Sequence, residues 1–224
     1  MRSSRTCEKP SFEIEHELLR QGCRLIAGID EAGRGALAGP LCVGLVVFDC
    51  SLFHDIPPEL SAINDSKKLT PRARRALRDV IRRHAYAQRT IMISPSLVDS
   101  LNVNGATERA LDRLLKKLDP MPDAVIMDGN FRFSPGVRFI PVIRGDSRSI
   151  SIAAASIAAK VDRDLVMEKY DLRYPGYLLR KNKGYGTPDH MDALGARGPS
   201  PIHRRSFEPV KSMLHPPAFI SDEN

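Results

Sequence analysis

The chain has 224 residues, with 34 Lys and Arg against 27 Asp and Glu and a net charge of +7, a length that suits one domain with a substantial core and leaves little room for two. The positive balance favours a polyanionic partner such as nucleic acid. No apolar run approaches the ~18 residues of a membrane span, and the acid-bearing N-terminus lacks the apolar stretch of a secretory signal, so a soluble cytoplasmic protein is expected.

Residues 1–12 are polar and read as a mobile lead-in, followed by a short helix over Phe12–Gln21. Arg24–Ile29 reads as a strand, and Leu41–Phe48, rich in Val and Leu, as a second. Between them the glycine-rich segment Asp30–Gly39, closed by Pro40, is too long for a minimal hairpin, and connections of this kind tend to carry function. Cys7, Cys23, Cys42 and Cys50 form no Cys-x-x-Cys pair and have no His at zinc-ligand spacing, so neither a structural zinc site nor a redox motif is indicated. Reduced thiols fit a cytosolic setting.

Thr70-Pro71 supplies an N-cap and a proline at the first helical position, which predicts a helix from Pro71 to about His84. Its apolar stripe is Ala76, Leu77, Val80 and Ile81, leaving Arg72, Arg74, Arg75, Arg78, Arg82 and Arg83 outside. This helix carries most of one basic block: Asp65–Arg83 holds eight Lys/Arg and two Asp, and a second block, Arg173–Lys211, holds eight Lys/Arg and three acids. A solvated face accounts for either block taken singly.

Tyr86–Ile93 reads as a third strand, and Asn104–Leu118 as a helix with Ala110, Leu111, Leu114, Leu115 and Leu118 on one side. Two short strands follow, Ala124–Met127 ending at Asp128-Gly129 and Arg138–Ile143 ending near Gly145-Asp146. Ser147–Tyr170 reads as one long helix whose alanines allow close packing on a sheet. Three strands followed by helix-linked strands imply a mixed sheet with helices packed on it, in one α/β domain.

Asp30-Glu31, Asp128 and Asp146 share a position, at or just past the carboxyl end of a strand and beside glycine, and ligand sites of α/β sheets favour such edges. Acids gathered together repel one another unless cations lie between them. Oxygen-only ligands suit Mg²⁺ or Mn²⁺ rather than zinc, and four carboxylates could hold two ions roughly 3.5–4 Å apart. Taken singly, Asp128-Gly129 reads equally as a turn and Asp146 as a residue near a helix N-cap. Gly33-Arg34-Gly35-Ala36-Leu37-Ala38 fits the dinucleotide fingerprint, but that fingerprint requires a helix next. Here Gly39-Pro40 and a strand follow, and two acids precede the glycines.

The motifs as a series resemble the ribonuclease HII family. Ile29-Asp30-Glu31-Ala32-Gly33-Arg34-Gly35 with Ala38-Gly39-Pro40 is similar to the family's opening signature, Asn64-Asp65-Ser66-Lys67-Lys68-Leu69 to its second motif and Met127-Asp128-Gly129 to its third. Gly145-Asp146 with Ser151–Ile157 and Ala159-Lys160-Val161 resembles the fourth. Lys183-Gly184-Tyr185-Gly186-Thr187, His190 and Pro201–Phe207 match the C-terminal part, so the resemblance runs in order from about Arg24 to Lys211.

The resemblance implies an α/β, ribonuclease H-like fold: a mixed five-stranded sheet with flanking helices, plus a small helical C-terminal portion. The chain would then divide into an N-terminal extension over 1–23, a catalytic core over 24–172, the helical portion of the same domain over 173–214 and a tail over 215–224. The family implies that Asp30, Glu31, Asp128 and Asp146 are catalytic and bind Mg²⁺ or Mn²⁺ at a two-metal site. It implies that Gly33, Arg34 and Gly35 read the 2′-hydroxyl, the group that separates RNA from DNA, and that Tyr185 stacks on the next sugar. Ser66 and Lys67 are expected to hold phosphate near the cut. The expected partners are RNA–DNA hybrids and ribonucleotide-containing duplex DNA, with no membrane, and the expected state is a monomer. Two departures, Asn182 where His is common and Arg144 where Lys often stands, touch fine substrate contacts. Gly-Arg-Gly favours this type over ribonuclease HIII. A DNA-directed nuclease of the same fold and a non-catalytic nucleic-acid-binding module are the alternatives, and a ribonucleotide-containing duplex beside an all-DNA control separates them.

Overall fold

Hydrogen bonding joins five strands in the order β3-β2-β1-β4-β5: β1 (Ile26–Ala32), β2 (Leu41–Phe48), β3 (Ala85–Ile93), β4 (Ala124–Asp128) and β5 (Arg138–Val142). β1 is antiparallel to β2 and parallel to β4, and β4 is parallel to β5, so the sheet is mixed, as expected. β2 is buried at every residue, the burial of a strand covered on both faces. The computed structural model describes residues 9–215, so the lead-in over 1–8 and the tail over 216–224 lie outside the described residues. Among those described, no helix is long and apolar enough to cross a membrane.

The chain clusters into two units, the first comprising the described residues up to Ala32 with Cys42–Met92 and Thr107–Arg163, and the second Gly33–Leu41, Ile93–Ala106 and the residues from Asp164 on. In the first, α4 (Ile150–Arg173) lies directly on the sheet. A Cβ at Gly28 would stand 2.3 Å from the Ser151 carbonyl carbon and one at Gly44 2.4 Å from the Ala155 oxygen. Ala153, Ala154, Ala155, Ala158 and Ala159 are fully buried, and Ala155 and Ala159 lie against β2 at Gly44, so the alanines allow the close packing that the sequence suggests.

The lead-in is not free over residues 9–12. Phe12 is buried and packs against Phe48 and Phe53 at ring distances of 5.7 and 4.8 Å. Ser11 bridges to Ser149. On α1 (Glu13–Arg20) the fully buried Glu15 accepts from the Ser149 hydroxyl (2.6 Å) and the Ser151 amide (3.2 Å). Its burial raises the carboxyl pKa, and those hydrogen bonds oppose the rise.

On α2 (Pro71–His84), Thr70 accepts from the Ala73 amide at 3.2 Å, the expected cap. Leu77 and Ile81 are buried, but Ala76 is exposed and Arg74 is buried in its place. The Arg74 guanidinium turns inward to the carbonyls of Ser66 and Leu69, both at 2.6 Å. Arg78 pairs with Asp162 at 2.8 Å. The exposed basic face is thus Arg72, Arg75, Arg82 and Arg83.

Helix α3 (Pro95–Leu115) starts well before the expected Asn104, and Asn102 interrupts it with φ 57° and ψ 174°. The Asn102 side chain accepts from the amides of Asn104 and Gly105 at 2.9 and 3.1 Å and so restarts the helix. In the second unit α5 (Leu179–Asn182), α6 (Pro188–Arg197) and α7 (Val210–Leu214) accompany a core of Leu37, Met167, Tyr177, Leu194, Ile202 and Val210.

Candidate metal centre and substrate loop

Three acids from separate elements of the first unit converge. Asp30 lies within β1 opposite Gly44, Asp128 ends β4, and Asp146 sits in the turn between β5 and α4. One carboxylate oxygen from each lies within 4.8 Å of the others. β1 does not stop at Ile29, as the sequence suggests, but pairs through Ala32, so Asp30 and Glu31 are strand residues rather than loop residues. Glu31 is half-buried and stands outside this three-acid group.

Glycine brings Asp146 to Asp128. The Gly145 amide donates to Asp128 Oδ1 at 2.6 Å. A Cβ on Gly145 would meet Ile152 at 2.6 Å and the Asp128 backbone at 3.3 Å, so a larger residue would wedge the two acids apart. Arg144, just before it, takes the left-handed conformation at φ 56°, leaving its side chain exposed.

Asp30 and Asp146 are only 6% and 7% exposed. Burial pushes the Asp30 carboxyl well above the usual carboxylate range; the charges of Glu31 and Asp128 add to this, while hydrogen bonds from Ser156 and the Glu31 amide oppose it. Burial also raises Asp146, helped by Asp128 and Asp65 and opposed by Lys67. Lys67 Nζ lies 3.7 Å from Asp146, on an otherwise exposed side chain. Burial pulls its ammonium down, but Asp146, Asp65, Asp30 and Asp128 outweigh that and raise it. An all-oxygen cluster in which the Asp30 and Asp146 carboxyls are pushed toward the neutral form fits a hard divalent cation, which supplies the missing countercharge.

Lys67 belongs to a 3₁₀ turn, Ser66–Lys68, in which Asp65 accepts from the Lys67 amide at 2.9 Å. Ser66 faces inward, its hydroxyl 2.9 Å from that of Ser156.

In the second unit the segment Gly33–Gly39 is held by Arg204, which is fully buried. Its guanidinium donates to the carbonyls of Gly33 (2.7 Å), Arg34 (2.8 Å) and Gly39 (3.2 Å), and it lies over the Phe207 ring at 5.0 Å. The amides of Leu37 and Ala38 donate to the Gly184 carbonyl at 2.8 and 3.2 Å. This approach needs Gly184, where a Cβ would stand 2.3 Å from the Ala38 oxygen. Gly33 has φ 90°, whereas a Cβ at the exposed Gly35 would meet nothing within 4 Å. Arg34 is exposed and donates to Asn104 Oδ1 at 2.5 Å.

Tyr185, half-buried, follows a turn that Asn182 shapes: the Asn182 amide donates to the Tyr177 carbonyl and its oxygen accepts from the Gly184 amide. The Asn at this departure from the family pattern therefore serves the backbone. Sequence assigned Arg204 no role of its own, placed Arg74 on the outer face of its helix and linked Asn182 to fine substrate contacts, and in none of the three did it reveal the backbone-holding part. Arg204 and Asn182 had motif context as their signal and Arg74 had none, since their partners are carbonyls and amides that no side-chain pattern reveals.

Two buried histidines lie beneath the turn. The Ser200 amide donates to His203 Nδ1 (3.0 Å), so His203 Nε2–H donates to His190 Nε2 (3.2 Å), and His190 Nδ1–H donates to the Tyr185 carbonyl (2.9 Å). Each ring is neutral in this arrangement; a proton added to His203 Nδ1 would have to displace the Ser200 amide bond and turn to the Ser200 hydroxyl at 2.8 Å, and one added to His190 Nε2 would face the His203 Nε2–H. Burial and the neighbouring His190 lower His203 to about 4, and burial also lowers His190. A His depressed in the folded state contributes stability that is complete above the unfolded pKa, ~6.5, and is lost as pH falls from there toward 4. Melting temperature should therefore drop between pH 6.5 and 4.5, and His203→Gln should flatten part of that drop; an unchanged slope in the variant would remove the pair from the acid response.

A family model described as Ribonuclease HII matches residues 27–210. A ribonuclease HII from Syntrophomonas wolfei is 43% identical over 200 residues, covering 89% of this chain and 76% of its own length. One from Chloroflexus aggregans is 43% identical over 208 residues, covering 92% and 96%. The crystal structure of a ribonuclease H2 from Pyrococcus horikoshii superposes with TM-score 0.72 at 25% identity, covering 84% of this chain and 96% of that one.

Proposed function

The chain belongs to the ribonuclease HII family, with a ribonuclease H-like fold and ribonuclease H activity, and from that premise we propose that it cuts the RNA strand of RNA–DNA hybrids and incises duplex DNA 5′ of an embedded ribonucleotide. Asp30, Glu31, Asp128 and Asp146 would hold two Mg²⁺ or Mn²⁺ ions. The observation that carries this reading is the convergence of Asp30, Asp128 and Asp146 to within 4.8 Å in a cluster that burial and mutual repulsion leave short of positive charge. Bound there, divalent cations supply a nucleophilic water at neutral pH and neutralise charge at the phosphate.

The protein's own groups divide the remaining work. Lys67, tethered beside Asp146, offers an ammonium to the phosphate, on the same turn as Ser66. The Gly33-Arg34-Gly35 segment, two residues after Glu31 in sequence, presents backbone to the ribose 2′-hydroxyl, where a side chain would crowd the sugar. Tyr185 stacks on the following deoxyribose. Arg72, Arg75, Arg82 and Arg83 on the exposed face of α2 grip the phosphate backbone through a salt-dependent term. The second basic block is partly engaged internally, by Lys181–Asp189, Lys183–Glu168 and Arg180–Asp171. One chain carries every residue of this reading, which suits a monomer.

A duplex with a single ribonucleotide, tested with each metal beside an all-DNA control, should be cut to 3′-hydroxyl and 5′-phosphate ends. Recovery of a 2′,3′-cyclic phosphate would instead make the neighbouring hydroxyl the nucleophile and overturn the water mechanism. Gly35→Leu should fold normally, because the added side chain meets no protein atom at its Cβ. It should lose cutting by about 100-fold while keeping weak duplex binding; wild-type cutting would remove Gly35 from the ribose contact.

A further inference from the structure

Helix α4 begins just after the turn that holds Asp146, and the amides of its first turn all find acceptors. Ile150 donates to the Ser11 carbonyl at 3.1 Å, Ser151 to Glu15 Oε1 at 3.2 Å, Ile152 to the Ser149 hydroxyl at 3.1 Å and Ala153 to the Ser149 carbonyl at 2.9 Å. A helix start leaves its leading amides without partners of its own, and here the segment before β1 supplies two of them. Glu15 is fully buried, and its Oε1 also accepts from the Ser149 hydroxyl at 2.6 Å. Among the described residues its Oε2 has no hydrogen-bond partner. A buried acid with one oxygen unmet is a poor source of stability, and an apolar side chain would fill the place at lower cost.

Ser149 carries the contact onward. Its amide donates to the Gly145 carbonyl at 2.8 Å, and the Gly145 amide donates to Asp128 Oδ1 at 2.6 Å. Arg148 is held from both sides, its amide on the Gly145 carbonyl at 3.0 Å and its carbonyl under the Ser11 amide at 3.1 Å. A continuous run of hydrogen bonds thus leads from α1 to Asp128 through the turn that contains Asp146. No link in it depends on a charge state, because Oε1 accepts whether the Glu15 carboxyl is ionised or carries a proton on Oε2.

We propose that Glu15 is a positioning residue for the nuclease reaction: through Ser149 it fixes the turn from Gly145 to Ser149, and with it the spacing of Asp128 and Asp146. The proposal rests on the reading of those two acids as metal ligands. It gives the segment before β1 a part in the site, although that segment contributes none of the clustered acids.

The test is a Mn²⁺ titration of the substrate-free protein, followed by electron paramagnetic resonance, on wild type, Glu15→Met, Glu15→Gln, Ser149→Ala, Leu18→Ala and Asp128→Asn, with thermal melts to verify folding. Methionine keeps most of the volume and loses the accepting oxygen, whereas glutamine keeps it. Leu18, buried on the same helix, reports what loosening α1 does by itself. Glu15→Met should weaken Mn²⁺ binding about 10-fold, the usual size for a group that orients a ligand. Glu15→Gln should bind as wild type does, and Leu18→Ala should melt earlier with its Mn²⁺ affinity unchanged. At limiting Mn²⁺, Glu15→Met should lose kcat with KM for the duplex unchanged, and saturating Mn²⁺ should restore most of it, a split that a general packing defect does not produce. Ser149→Ala cuts the same link from its other end and should weaken Mn²⁺ binding as well, so it carries the test if Glu15→Met does not fold. Wild-type Mn²⁺ affinity in folded Glu15→Met or in Ser149→Ala, a Glu15→Gln protein as weak as Glu15→Met, or an equal loss in Leu18→Ala would overturn the proposal. Wild-type Mn²⁺ binding by Asp128→Asn would instead remove the metal reading of the cluster and the proposal with it, a result distinct from failure at Glu15.

Discussion

Asp30→Asn should abolish strand cleavage, lowering kcat/KM by on the order of 10³-fold or more at saturating metal, while leaving the metal-free protein at least as stable as wild type. The two halves of this expectation share one cause. Asp30 is buried against Asp128 and Glu31, and both burial and their charges work against its ionised form. The amide removes that repulsion, and its oxygen can still accept from the Glu31 amide, now at 2.7 Å. Melting curves without metal should therefore show an equal or higher midpoint, and Mn²⁺ should stabilise the variant far less than wild type. Cleavage at the wild-type rate would take Asp30 out of the reaction; a metal-free protein much less stable than wild type would mean that the cluster is a structural network instead.

Arg204→Met should be the most damaging single change in the second unit. The guanidinium satisfies three carbonyls of the Gly33–Gly39 segment from a fully buried position. Methionine fills much of the volume and donates to none of them, and each buried acceptor left unmet costs about 1–3 kcal/mol, so a loss of roughly 3–5 kcal/mol in urea unfolding is expected. Arg204→Lys should fall between, since one ammonium on a flexible stem cannot reproduce a planar fork. Cleavage of the single-ribonucleotide duplex should fall with the same ranking. Equal stability of Arg204→Met and wild type would show that these carbonyls find other donors and that the segment holds itself.

The strands and the acids at their ends were legible because apolar runs punctuated by Asp-Gly are a local pattern, and parallel neighbours in one sheet end at the same edge. The end of β1 was not legible. Asp30 and Glu31 look like a loop, and only the pairing with Gly44 and Val43 keeps them in the strand. Helical periodicity found Leu77 and Ile81 on α2 but put Arg74 outside, because a charged residue is assigned to water unless its partner is known, and here the partners are two backbone carbonyls. The same reason hid Arg204, whose acceptors lie more than 160 residues away. The first half of α3 was missed because Asn102 breaks the repeat. The pairing of Ser66 with Ser156 joins a turn to a helix far along the chain, and two serines carry no periodicity at all.

Where α4 crosses the sheet, main chain rests on main chain at Gly28 and Gly44, with alanines between. Long side chains in such a layer would act as a cushion, taking up small displacements by changing rotamer. Without them, helix and strands share one stiff mount, and the spacing between the strand that carries Asp30 and the helix that carries Ser156 is set by atoms with almost no freedom to adjust. The acid cluster thus borrows its accuracy from the backbone beneath it.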